Sequence, residues 1–131
     1  TAKLFKPQRP VWIYCAVDHA ERRTALEAKG AQIICLPNAS GKVDLAAMLQ
    51  DLGQKQINEV HVEAGHKLNG SLLREGLVDE LLTYLAPKLM GQGRGMTNLG
   101  PFTTLNDAKA LSFHEVTQIG PDLRILARLS R

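Results

Sequence analysis

The stretch "INEVHVEAGHKLNGSLLREGLVDELLTYLAP", residues 57–87, holds the pattern on which the fold class depends. Its first part, 57–64, is rich in β-branched residues and predicts a strand. The following helix is predicted to end at Gly76 and to bury one leucine face, made of Leu68, Leu72 and Leu73. Another strand is predicted over 79–87. This order of strand, helix and strand is typical of an α/β domain.

The residues before this stretch repeat the alternation. Two apolar runs, 11–16 and 31–37, predict two strands. Between them, Asp18 followed by Glu21 indicates a capped helix start, and Gly30 is the expected helix end.

A further helix is predicted between the second and third strands. Its apolar residues follow the spacing i, i+3, i+4 and i+7, and they are Leu45, Met48, Leu49 and Leu52. Asp44 is its expected N-cap and Gly53 its expected end. Strands that are apolar on both faces and alternate with helices predict a mostly parallel sheet with flanking helices.

The C-terminal part has a different pattern. The glycine-rich segment 91–95 predicts a flexible loop, with a lid over a ligand as the alternative. Residues 111–119 and 123–129, joined by the turn 120–122, predict an antiparallel hairpin with one apolar and one partly charged face. The fold class predicted from sequence is therefore α/β, with a mixed, mostly parallel sheet and a C-terminal antiparallel hairpin. The aromatic side chains of Phe113 and Tyr84 are expected in the core.

Composition narrows the function classes. The 131 residues fit one domain, and 16 basic against 13 acidic residues give a net charge of +3 without a basic stripe, so no nucleic-acid partner is expected. No signal peptide and no apolar run of about 18 residues occurs, so a cytoplasmic protein without a membrane partner is expected.

Cys15 and Cys35 lie in apolar runs and predict buried free thiols, with a disulfide as the less favoured alternative.

The candidate site is the turn that opens the helix after residue 64. Ligands of open α/β sheets bind at the carboxyl ends of strands, and a helix N-terminus attracts phosphate. Gly65 brings the backbone to a ligand without a Cβ, and Lys67 adds positive charge. Asn69 and Ser71 add hydrogen-bonding groups, and Gly70 allows close approach of a ligand or the sheet. The spacing matches neither a P-loop nor G-x-G-x-x-G, so a plain strand-to-helix turn is the alternative.

Two other interpretations concern the residues around this turn. Glu63 either caps the helix or accepts hydrogen bonds from a substrate. His61, Glu63 and His66 have the spacing H-x-E-x-x-H, but the Pro-Cys-x-x-Cys partner of the zinc deaminase signature is absent. No metal is therefore expected.

The segment "VEAGHKLNGSLLREGLVDELLTYLAPKLMG", residues 62–91, resembles the reductase domain of the bacterial bifunctional riboflavin-biosynthesis deaminase/reductase. "DAKALSF", 107–113, and "IGPDLRI", 119–125, resemble the end of the same domain, whereas the match before residue 56 is weak. The resemblance implies a dihydrofolate-reductase-like fold. It also implies reduction of the ribosyl group of 5-amino-6-(5-phosphoribosylamino)uracil with NADPH, and a homodimer.

Site roles follow from the resemblance. Glu63 resembles the family's substrate-contacting glutamate. The NADP-binding turn corresponds to Gly65, His66, Lys67, Leu68, Asn69, Gly70 and Ser71. Of these, His66 and Lys67 depart from the small or polar residues common in the family, so backbone contacts are expected there.

The resemblance also implies what lies elsewhere. The family's deaminase half, its first reductase strands and its active-site aspartate have no counterpart in residues 1–131, which therefore correspond to the C-terminal part of one reductase domain. The chain alone is expected to be inactive. Two alternatives stay open: a non-catalytic nucleotide-binding or dimerisation module, and a reductase of another pteridine or pyrimidine.

Overall fold

The computed structural model describes residue 5 and residues 9–130. The chain divides into two compact units, Thr1–Val60 and His61–Arg131. Each unit has its own short sheet and at least one helix. None of the helices in the described part of the chain has the length and apolar character that crossing a membrane requires.

The first unit contains a parallel strand pair. Strands β1 (Val11–Cys15) and β2 (Ala31–Cys35) confirm the two predicted apolar strands, and Val11 lies opposite Ala31 in their register. Helix α1 (Ala20–Glu27) connects them and contacts β2. Helix α2 (Leu45–Gln54) follows as predicted from its leucine spacing.

One predicted helix end in this unit, the start of α2, is confirmed. Asp44 is the N-cap of α2, and its carboxylate accepts a hydrogen bond of 2.9 Å from the Ala47 N–H. The predicted end of α1 at Gly30 lies three residues beyond the observed end at Glu27, although Gly30 does have φ +89°, a backbone conformation that glycine adopts without steric cost.

Two other predicted helix ends are wrong. The N-cap of α1 is His19, whose side chain makes no capping bond. The carboxylate of Asp18, the residue expected to cap the helix, instead binds the Arg23 guanidinium at 2.6 Å. Gly53 does not end α2, since the helix runs one residue further and the chain turns at Gln56 with φ +64°. In both cases local propensity was outweighed by a neighbouring contact or by continued helical hydrogen bonding.

The second unit contains helix α3 (His66–Arg74) and a three-stranded antiparallel sheet. Its strands are β3 (Glu80–Leu85), β4 (Leu111–Ile119) and β5 (Asp122–Leu129), in the order β3-β5-β4. A 3-10 turn lies at Leu105–Asp107. The mixed α/β class, with parallel and antiparallel pairing and flanking helices, is confirmed.

The predicted hairpin is present. Ile119 lies opposite Asp122, so Gly120 and Pro121 form a two-residue turn, and Gly120 has φ +59°. A glycine with positive φ before a proline suits a type II′ turn, whose twist matches that of the flanking strands.

The predicted third strand is the main error in the fold. Residues 57–65 form neither strand nor helix, and Val60 and Val62 are exposed. A strand needs a partner for its backbone groups, and β-branched composition does not supply one. Among the strands of the described residues, β1 and β2 pair in the parallel sense, while β3 pairs with β5 in the antiparallel sense.

The antiparallel sheet has the two different faces that the alternation predicted. On one face, Arg124 and Arg128 form ion pairs with Glu115 at 2.8 Å and with Glu80 at 2.9 Å. The other face is apolar, and its side chains include Leu85, Phe113, Val116, Leu123 and Ala127. Phe113 is 73% exposed and Tyr84, on the charged face, is 58% exposed, so the prediction that these aromatic residues lie in the core is wrong.

Candidate functional site

The start of α3 is open to a ligand. Gly65 is the N-cap residue, with φ −77° and ψ 162°, and its carbonyl accepts hydrogen bonds from the N–H groups of Leu68 and Asn69. The first N–H groups of a helix have no acceptor within the helix, so they are available to an anion. A Cβ added to Gly65 would meet no atom within 4 Å. The space that a ligand would need here is therefore present.

A depression of about 430 Å³ lies at this helix start. It is lined by Gly65, His66, Lys67, Leu68 and Arg94. None of the five residues is acidic, and Lys67 and Arg94 carry positive charge, so the depression favours an anionic group. Arg94 was not among the residues predicted from sequence, although it lies within the glycine-rich segment 91–95, for which a lid was one alternative.

Gly70 allows a close approach, and the approaching group is the chain itself. A Cβ at this position would lie 2.0 Å from the carbonyl oxygen of Asn98 and 2.8 Å from its nitrogen. The Asn98 N–H donates to the His66 carbonyl at 2.9 Å. Gly70 therefore lets the backbone at residue 98 lie directly on α3.

The polar side chains of the turn also bond within the second unit. The Asn69 side-chain amide donates to the carbonyls of Ala64 at 3.2 Å and Met96 at 3.1 Å. The Ser71 hydroxyl donates to the Lys67 carbonyl at 3.2 Å and accepts from Arg74 at 3.0 Å. Of the seven residues predicted for the turn, the first four line the depression, and the last three are not part of its lining.

Glu63 precedes the helix in the irregular segment. Its side chain is 87% exposed, and one of its carboxylate oxygens lies 3.7 Å from the imidazole nitrogen of His61. No capping bond from a side chain to the start of α3 occurs, so the capping interpretation of Glu63 finds no support. Among residue 5 and residues 9–130, no group of three potential ligands is arranged to hold a metal ion.

The first unit holds a polar network that sequence reasoning missed. The Tyr14 hydroxyl on β1 donates to the Asp51 carboxylate on α2 at 2.6 Å, and Lys55 binds the other carboxylate oxygen. Burial and then the bond to Asp51 raise the pKa of Tyr14 to about 12. Lys55, followed by Tyr14, lowers the pKa of Asp51. These bonds fasten α2 to β1, which gives the network a structural role.

The two cysteines are free, as predicted. Cys15 and Cys35 lie opposite each other in the parallel pair and are half-buried. Burial, followed by the neighbouring Cys35 thiol, raises the pKa of Cys15. A raised pKa disfavours the thiolate, so Cys15 is a poor nucleophile at neutral pH.

Parallel pairing in the first unit, antiparallel pairing in the second and a cationic depression at the start of α3 define a mixed α/β protein. The chain belongs to the RibD C-terminal domain family, whose model matches residues 1–125. The resemblance to the reductase domain of the riboflavin-biosynthesis proteins is thereby confirmed.

Individual relatives agree with this assignment. The riboflavin biosynthesis protein RibD of Escherichia coli is 44% identical over 91 residues, which cover 69% of this chain and 25% of the relative. A Buchnera aphidicola protein named 5-amino-6-(5-phosphoribosylamino)uracil reductase is 36% identical over 86 residues, covering 65% of this chain and 42% of the relative. The chain thus spans a quarter to two fifths of the length of these relatives.

A solved structure supports the fold. Form 2 of Acinetobacter baumannii RibD matches 99% of this chain and 34% of its own chain, with a TM-score of 0.84 and 30% sequence identity.

Proposed function

We propose that this chain forms part of the reductase domain of a longer riboflavin-biosynthesis protein that reduces 5-amino-6-(5-phosphoribosylamino)uracil with NADPH. The observation that carries the proposal is the family match over residues 1–125. The name of the Buchnera relative supplies the substrate. Because the chain spans only part of each relative, the activity is proposed for the whole protein, with the catalytic groups on residues outside this chain.

The geometry at α3 supports a cofactor role for the turn. Open space at Gly65, free N–H groups and the charges of Lys67 and Arg94 suit the phosphates of a dinucleotide. NADPH, when bound, supplies the hydride that reduces the ribosyl group. In this proposal the chain holds and orients the cofactor, mainly through backbone N–H groups and the positive charges beside them.

Glu63 has a proposed role towards the substrate. Its carboxylate is exposed and makes no bond to the start of α3, so it is free to accept hydrogen bonds from N–H or hydroxyl groups of a pyrimidine riboside. The expected effect of Glu63→Gln is a raised KM for the substrate with little change in the KM for NADPH.

The oligomeric state and the cellular location are further parts of the proposal. We propose a cytoplasmic homodimer whose only ligands are small molecules. Its support is the apolar face of the three-stranded sheet, where Phe113 is 73% exposed and Leu85 is 55% exposed. A large exposed apolar patch is typical of a protein interface.

Calorimetric titration of the full-length protein with NADPH tests the cofactor proposal. Gly65→Asp adds a carboxylate at a position where the new Cβ meets no atom within 4 Å, so it should abolish NADPH binding through charge and occupied space while the fold is kept. Gly53→Asp is the matched control, because it adds the same charge on α2 in open space. Absence of NADPH binding by the unmodified protein, or equal binding by both variants, would contradict the proposal.

A further inference from the structure

The segment 96–98 is fixed to α3 at four points. The Asn98 N–H donates to the His66 carbonyl at 2.9 Å, and the Arg74 guanidinium donates to the Asn98 carbonyl. The Asn69 amide donates to the Met96 carbonyl at 3.1 Å. The fourth point is the contact of the Asn98 backbone with Gly70, which no other residue would permit. The segment is therefore anchored to the helix by its backbone.

This anchoring has a consequence for Arg94. The residue lies two positions before the first anchored carbonyl, and it lines the depression at the start of α3 together with residues 65–68. Arg94 is exposed, so its guanidinium keeps donors for a ligand. An arginine presents a planar set of N–H donors that matches phosphate oxygens, and such charge-assisted bonds are stronger than neutral ones.

We propose that Arg94 binds a phosphate group in the depression, and that Gly70 and Asn69 are positioning residues that act through it. This inference rests on the proposed function. It assigns Gly70 a contact with the chain in place of a contact with the cofactor. The phosphate comes either from the dinucleotide or from the ribose phosphate of the substrate, since both ligands carry this group.

Steady-state kinetics of the full-length protein distinguish these sources. Arg94→Gln should raise one KM about tenfold or more, as expected for the loss of one charge-assisted bond, with a smaller change in kcat. If the KM for NADPH rises and the KM for NADH does not, Arg94 binds the 2′-phosphate. If the KM values of both NADPH and NADH rise, Arg94 binds the pyrophosphate. A raised KM for the substrate alone indicates the ribose phosphate. Arg22→Gln, on the exposed surface of α1, is the control and should change none of these values.

A double-mutant cycle tests the positioning role. If Gly70→Ala acts through Arg94, it raises the same KM, and the double variant with Arg94→Gln is no worse than the single Arg94→Gln variant. Asn69→Ala serves the same purpose should Gly70→Ala fail to fold. A merely structural effect would instead lower the amount of active enzyme without changing one KM selectively.

The two proposals fail in different ways. Unchanged KM values for Arg94→Gln in a protein that binds NADPH would overturn the phosphate role of Arg94 and leave the proposed function intact. Additive effects in the cycle would overturn the positioning role. Failure of the unmodified protein to bind NADPH would instead count against the proposed function.

Discussion

The substitution Gly70→Ala should destabilise the protein although it removes a glycine from a helix. The added Cβ would lie 2.0 Å from the Asn98 carbonyl oxygen, whereas ordinary van der Waals contact begins at 3.4 Å, so the backbone at residue 98 must move by about 1.4 Å. That movement strains or breaks the hydrogen bonds that join the segment 96–98 to α3. These bonds come from the Asn98 N–H, from Arg74 and from Asn69.

The expected change in the free energy of unfolding is the sum of two opposing contributions. Replacing glycine by alanine inside a helix gains about 1 kcal/mol of helix propensity. Three lost hydrogen bonds cost roughly 1 kcal/mol each, so the net loss is about 2 kcal/mol. Gly53→Ala is the matched control, because Gly53 also lies within a helix but its Cβ would meet no atom within 4 Å. That control should be neutral or stabilised by up to about 1 kcal/mol.

Urea unfolding followed by circular dichroism measures both effects. The account predicts a lower midpoint for Gly70→Ala and an unchanged or higher midpoint for Gly53→Ala. Equal or increased stability in Gly70→Ala would refute the close packing of the segment on α3.

Two further predictions concern the first unit. The pKa of Tyr14 is raised to about 12 from 10.0, so its hydroxyl contributes stability that is present below pH 10 and lost as the pH rises towards 12. In Tyr14→Phe this alkaline loss should be smaller in thermal unfolding across that range, and an unchanged pH profile would argue against the bond to Asp51. Asp44→Ala removes the cap bond to Ala47 and should cost about 1 kcal/mol in urea unfolding, whereas Asp44→Asn should cost less. Equal stability of the two Asp44 variants would show that the cap is not formed.

The helices and the hairpin could be predicted because their signals are local. Leucine spacing, the Asp44 cap and the Gly120-Pro121 turn each act over a few residues, and the structure contains all three. The composition of residues 57–64 could not show whether they form a strand, because a strand depends on a partner that is distant in sequence. The same reason explains why β3 was expected in a parallel sheet, although its hydrogen-bonded neighbour is β5.

The candidate site was predicted only in part. The glycine turn has a sequence signal, and residues 65–68 do line one depression. Arg94 comes from a loop about 26 residues further along the chain, and nothing in its local sequence specifies that it lies near the turn. Gly70 shows the opposite case: its signal was correct, but the group that approaches it is the Asn98 backbone. A glycine indicates close approach and does not identify what approaches.

The most direct test of the proposed function is a reductase assay on the full-length protein with 5-amino-6-(5-phosphoribosylamino)uracil. The account predicts NADPH-dependent formation of the ribitylamino product, lost in Gly65→Asp and retained in Gly53→Asp. Dihydrofolate offered in place of the pyrimidine should not be reduced. Failure of the folded protein to convert the pyrimidine, or reduction of dihydrofolate alone, would contradict the proposed activity.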